Sequence, residues 1–286
     1  MSHFADQLLE SVAAKAAPVC VGLDPVLAKL PDPVRRAADS DLDAIATFSL
    51  GVVEAVAPHV PCVKIQSACY ERFGEAGVAV YHRVAAMARE AGLLVIGDAK
   101  RGDIGVTAEH YAVAGLDPVD ALTINSYFGR DGIEPFCKHA DATGKGLFAL
   151  VRTSNPGGDA IQSLQLADGR TVAQAVGALM AELGEPYVGD SGYSLLGAVV
   201  GATKPGDAAA LRKIMPKQIF LVPGFGAQGG GADDVRACFN TDGHGAIITA
   251  SRSVIYAFVG GDAAQWQSAV QQAAVDLCQQ VGAILA

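Results

Sequence analysis

The sequence predicts an α/β protein, a closed (β/α)8 barrel of the TIM-barrel class in which residues 1–286 form a single domain. Three observations predict it. Eight apolar runs of strand length, rich in Val, Ile and Leu, lack polar alternation, as strands buried on both faces of a parallel sheet do. Eight helix-like segments alternate with them, the count such a barrel requires. Their spacing leaves no room for a second domain, although the length alone would allow two.

In chain order, a helix over 3–16 precedes the first strand and closes the barrel bottom. PVCVGLD (18–24) leads to helix 42–59, VPCVKIQ (60–66) to helix 68–91, LLVIGDAK (93–100) to helix 107–114, and ALTINSY (121–127) to helix 133–141. Each run is apolar and bounded by turn residues. GLFALVRTS (146–154) follows, then an elaborated loop over about 155–193, in which the turn signals NPGGD and ADGR flank helix 171–183. LLGAVVGAT (195–203), QIFLVPGFG (218–226) and GAIITAS (245–251) supply the last three strands, with helices 207–214, 233–239 and 263–285. A doubly wound open sheet is the alternative; it needs edge strands, and the shorter, more polar fourth run is the one candidate.

Composition narrows the function. Apolar residues are 51% and charged ones 18%, which excludes disorder, and the 33 Gly and 13 Pro show no collagen-like period. The net charge of −9, with no Lys/Arg stripe, argues against nucleic acid. The longest uncharged stretch, 218–232, contains Pro223 and five glycines, so no membrane helix is expected. Acids in the opening MSHFADQLLE are unlike a signal peptide, and a cytoplasmic location is expected. Cys20, Cys62, Cys69, Cys137, Cys238 and Cys278 form no CxxC pair and read as reduced thiols. The six histidines show no metal spacing, so no metal site is expected.

Barrel active sites form at the carboxyl ends of the strands. Those ends carry Asp24, Lys64, Asp98, Lys100, Asn125, Thr153, Ser154 and Arg252, all expected at one mouth. Strand alternation places Asp98 and Lys100 on one side. Folding does not require such a buried pair, because apolar replacements are often neutral or stabilising, so it reads as functional. Gly224, Gly226 and Gly229 satisfy G-x-G-x-x-G, but in the seventh unit and without an acid about 20 residues on, so a dinucleotide site is disfavoured. Gly-rich backbone beside Arg252 suits a monophosphate, whereas the bland reading is a lid loop without ligand.

Strand three runs on into GDAKRGDIGVTA, and its D-x-K-x-x-D core, DAKRGDI, resembles the signature of orotidine 5′-phosphate decarboxylase. GLDP on strand one, VKIQ on strand two, PGFGAQGGG after strand seven and ASRSVIYA on strand eight follow in that family's order, over essentially the whole chain. The length, the longer strand-three motif and the loop after strand five resemble its longer bacterial branch, type 2.

The resemblance implies loss of CO₂ from orotidine 5′-monophosphate to give uridine 5′-monophosphate in de novo pyrimidine synthesis, without metal or cofactor. Lys100 would stabilise the developing carbanion and deliver the proton, with Asp98 facing the leaving carboxylate. Two like charges about 4 Å apart repel by roughly 4 kcal/mol at an effective dielectric near 20, against barrier reductions of about 8–23 kcal/mol for enzymes as a class. Carbanion stabilisation must therefore exceed repulsion. By the same resemblance, Asp24 and Lys64 contact the ribose, with Lys64 also orienting the charges; Ser154, or Thr153 beside it, holds the pyrimidine; Gln228 and Arg252 grip the phosphate; and residues 224–231 close over it. Asp103 and Thr107 are expected to reach the neighbouring site of a homodimer. Two alternatives stay open: a Mg²⁺-dependent sugar-phosphate decarboxylase or aldolase of the same barrel group, and a non-catalytic phosphate-binding barrel.

Overall fold

A computed structural model describes residues 3–201, 205–225 and 235–285. Its eight strands close a barrel in chain order: β1 (Val19–Leu23), β2 (Cys62–Gln66), β3 (Leu94–Arg101), β4 (Ala121–Ile124), β5 (Gly146–Arg152), β6 (Ser194–Val200), β7 (Gln218–Pro223) and β8 (Ala246–Ala250). Every neighbouring pair is parallel, and β1 pairs with β8 through Val19↔Ile248 and Cys20↔Thr249, so no edge exists and the open-sheet alternative is excluded.

The apolar runs end up buried on both sides. Cys20, Cys62, Ile96, Phe148 and Ile247 fill the barrel interior, and the helix Phe4–Lys15 plugs its lower end with Phe4, Leu8 and Val12. Phe4 meets Phe148 edge-on at 6.0 Å between ring centroids. Outward-facing Val21, Val63, Val95 and Leu122 pack under the surrounding helices. Trp266 packs on Phe48 at 5.1 Å, joining the helix Trp266–Leu285 to the helix Asp41–Val56.

Several boundaries differ from the sequence expectation, each for a local reason. The helix expected over 68–91 is two helices, Ala68–Glu71 and Gly74–Glu90, because Gly74 takes a φ of 65°, which a helix interior does not tolerate. Strand β4 stops at Ile124 rather than 127, where Asn125 Oδ1 accepts the Tyr127 N–H at 3.0 Å and starts a 3₁₀ turn. The loop after β5 holds two short helical turns over Pro156–Gln162 and then the helix Val172–Gly184, begun by a Thr171/Gln174 capping box.

Candidate active site

At the carboxyl ends of the strands lies a cavity of about 410 Å³. It gathers Asp24, Lys64, Asp98, Lys100, Ser154 and Arg252, together with Thr153. Asp24 follows β1, and the turn after β8 comes close to it because β1 carries Gly22: a Cβ there would meet Ser251 Oγ at 1.9 Å. Ser251 and Arg252 are thereby packed against the mouth of β1.

Four charges alternate in sign across the floor. Lys64 Nζ lies 3.6 Å from Asp24 Oδ1 and donates to Asp98 Oδ2 at 2.7 Å, and Lys100 Nζ donates to Asp98 Oδ1 at 2.5 Å. Asp98 is only 5% exposed. Burial by itself pushes its carboxyl up, but the charges of Lys64 and Lys100 and their hydrogen bonds outweigh that and hold it down at about 2. Burial likewise disfavours the Lys64 ammonium, yet Asp24 and Asp98 leave its pKa raised, so it stays charged. The Lys100 side chain, 43% exposed, faces the cavity.

Simple alternation is not what puts Lys100 beside Asp98. Between Gly97↔Leu122 and Arg101↔Ile124, strand β3 advances four residues while β4 advances two, a bulge centred on Asp98–Lys100. Lys100 adopts a φ of 51°, one of two positive-φ non-glycine residues among those described, at a cost of roughly 1–2 kcal/mol. Bulges re-aim side chains at active sites, and this one turns the ammonium onto the carboxylate.

Other expected site residues are placed differently. Asn125 does not line the cavity, since its side chain caps the turn after β4. Asp103 stays in its own turn, accepting the Ile104 N–H at 2.8 Å, and Thr107 is exposed on the helix Gly105–Leu116. Both lie outside their own barrel's cavity, beside exposed Ile104 and Val106. Gln228 lies outside the described residues, as does most of the expected closing segment 224–231; Gly224 and Phe225 line the cavity. Arg252 is exposed, borders the cavity and has no ion-pair partner among the described residues.

Three participants escaped the sequence reading. Thr123 on β4 donates to Asp98 Oδ1 at 2.9 Å and accepts the Lys100 N–H at 3.0 Å. Thr249 on β8 lines the cavity, and neither its buried hydroxyl nor Asp24 Oδ1 has a hydrogen-bond partner among the described residues. Arg152, at the end of β5, is 1% exposed; it donates to Asp207 at 2.8 Å, to Asp159 at 2.5 Å and to Gln162 at 3.1 Å. Gln162 in turn accepts the Thr153 N–H and donates to the Thr153 hydroxyl, whereas Ser154 makes no side-chain hydrogen bond to another described residue. The one sequence signal for Arg152 was a charge inside an otherwise apolar strand.

Comparison with known proteins places these features in a family. Residues 17–265 match the family model described as orotidine 5′-phosphate decarboxylase / HUMPS family. A Rhodopirellula baltica protein named orotidine 5′-phosphate decarboxylase is 44% identical, covering 98% of this chain and 99% of the relative. One of the same name from Deinococcus radiodurans is 42% identical over 89% of each chain. The solved structure of Leishmania donovani OMP decarboxylase is 31% identical and superposes with a TM-score of 0.80 over 100% of this chain and 99% of the other. Among the described residues, no helix is long and apolar enough to cross a membrane.

Proposed function

Since the chain belongs to the orotidine 5′-phosphate decarboxylase / HUMPS family, we infer its chemistry from that premise: it decarboxylates orotidine 5′-monophosphate to uridine 5′-monophosphate and CO₂ in pyrimidine biosynthesis. The observation that carries the residue roles is the Asp24–Lys64–Asp98–Lys100 row on the cavity floor.

Cleavage of the bond between ring and carboxylate releases CO₂ and leaves the electron pair on the ring carbon, in the ring plane. Lys100, charged and open to the cavity, stabilises that pair and then transfers a proton to the same carbon. The neutral amine so formed regains its proton from solvent after the product leaves. Asp98 stays ionised beside the substrate carboxylate, and Lys64 holds Asp98 in place while keeping its own charge. Repulsion between the two carboxylates supplies a minor share of the acceleration, and the preorganised ammonium supplies the larger share. The proposed reaction uses these side chains and neither metal nor cofactor.

Binding falls to the floor and the rim. Asp24 and Lys64 take the ribose hydroxyls, and Asp24 Oδ1, which accepts no hydrogen bond among the described residues, suits a hydroxyl donor. Ser154 holds the pyrimidine edge, a role supported by the engagement of Thr153 with Gln162. Arg252 pairs the phosphate together with Gln228, and residues 224–231 close over it; this remote binding energy helps hold the reacting geometry. The chain works as one barrel in a homodimer, and Asp103 and Thr107, which do not line their own cavity, complete the partner's site. The described cysteines form no disulfide, and four of the six are buried, which suits a reducing cytoplasm.

The test is the fall in ultraviolet absorbance of orotidine 5′-monophosphate with purified protein, with and without EDTA. Rapid loss insensitive to chelation is expected. Loss abolished by EDTA would point to the Mg²⁺-dependent reading, and nucleotide binding without CO₂ release to the phosphate-binding barrel.

A further inference from the structure

The bulge in β3 creates a problem that one side chain on β4 solves. Where β3 carries its two extra residues, the Lys100 N–H leaves the ladder, and a part-buried amide without a partner is costly. Thr123 sits opposite, between Leu122 and Ile124, and its Oγ1 accepts that N–H at 3.0 Å. The same hydroxyl has one proton to give. Asp98 Oδ1 at 2.9 Å takes it in preference to the Gly97 carbonyl at 3.5 Å. The hydroxyl of Thr123, a residue only 1% exposed, is thus joined to the backbone of Lys100 and to the carboxylate of Asp98.

We propose that Thr123 is a positioning residue for the decarboxylation: it holds the left-handed backbone of Lys100 and the rotamer of Asp98 in register, so that ammonium and carboxylate meet the reacting bond together. Asp98 Oδ1 accepts from both Lys100 Nζ and Thr123, and Oδ2 accepts from Lys64 Nζ and from Gln66 Nε2 at 3.4 Å, so the carboxylate is fixed from four sides. Thr123 is the member of that set that also grips the bulged backbone. A valine there keeps the shape and loses both hydrogen bonds, while a serine keeps the hydroxyl.

This inference rests on the decarboxylase reading, which turnover by the parent enzyme tests separately. In the full-length enzyme, Thr123→Val should lower kcat by about tenfold or more, because hydrogen bonds to charged groups are at stake, with KM for orotidine 5′-monophosphate changed less than about threefold. Thr123→Ser should recover most of the lost kcat. Parent turnover with Thr123→Val within about twofold of it, or a loss that Thr123→Ser does not recover, or a rise in KM matching the fall in kcat, would overturn the proposal. If Thr123→Val does not fold, Thr123→Ala replaces it under the same criteria.

Discussion

Lys100 Nζ and Asp98 Oδ1 lie 2.5 Å apart although the two residues are separated by a strand bulge, and Lys100 reaches this position only by taking a φ of 51°. Strain of this kind persists where the surroundings over-determine it, and such positions cluster at functional sites. The pair is one half of a four-charge row, and its other half, Lys64 with Asp24, is set by the ends of β1 and β2. Removing any one charge therefore leaves an unbalanced neighbour.

Asp98 links the row to pH. Its folded pKa of about 2 lies below the ordinary 3.8, so its ionised form contributes roughly 2 kcal/mol of stability that is fully present above about pH 4 and is lost as pH falls through about 2. Asp98→Asn should be less stable than the parent at pH 7 by about 3 kcal/mol, since it removes the carboxylate between the buried Lys64 ammonium and Lys100. Urea midpoints measured from pH 7 down to pH 2 should converge; a constant gap would contradict the assignment.

Arg252 is exposed at the cavity rim with no ion-pair partner among the described residues, so its charge is available to the phosphate. Arg252→Ala should raise KM by about 10- to 100-fold, the range of a charge-assisted hydrogen bond, with a smaller change in kcat. Steady-state kinetics decide this, and an unchanged KM moves the phosphate site elsewhere.

Arg152 fastens the turn at Asp159–Gln162 to Asp207 across the top of the barrel, and through Gln162 it fixes Thr153. Its carboxylate partners are each more than 40% exposed, so the loss is partly screened. Arg152→Met should cost about 1–3 kcal/mol and speed proteolysis within 155–171, with KM rising. An unaltered cleavage pattern would show that the loop is held by other contacts.

If Asp103 serves the partner's site, Lys100→Ala and Asp103→Ala protomers should complement one another. Random mixing makes about half the dimers mixed, each with one intact site of two, so about a quarter of parent activity should return. Activity measured after unfolding and refolding the two variants together tests this. No recovery, with dimers present, would place Asp103 in its own barrel's site.

Much of this was legible in the sequence, because the fold and the main charges rest on local signals. Each doubly buried strand is a run of apolar residues, and DAKRGDI carries its charges in one motif. What was not legible depends on pairing between strands. Thr123 sits in an ordinary apolar run, and its importance comes from the register shift with β3, which no pattern within β4 encodes. Asn125 looked like its neighbours at strand ends, yet capping a turn suits an Asn there equally well. Arg152 was hidden because its partners Asp159 and Asp207 lie in other elements. The period-two argument for Asp98 and Lys100 reached the right side of the barrel by a path the backbone does not follow.

The central claim is that Lys100 protonates the ring carbon from which CO₂ departs, and the most direct measurement is CO₂ release from orotidine 5′-monophosphate by Lys100→Ala beside the parent. The account predicts a fall in kcat of about 10²- to 10⁴-fold or more, with uridine 5′-monophosphate still bound. Turnover by Lys100→Ala at the parent's rate would contradict it.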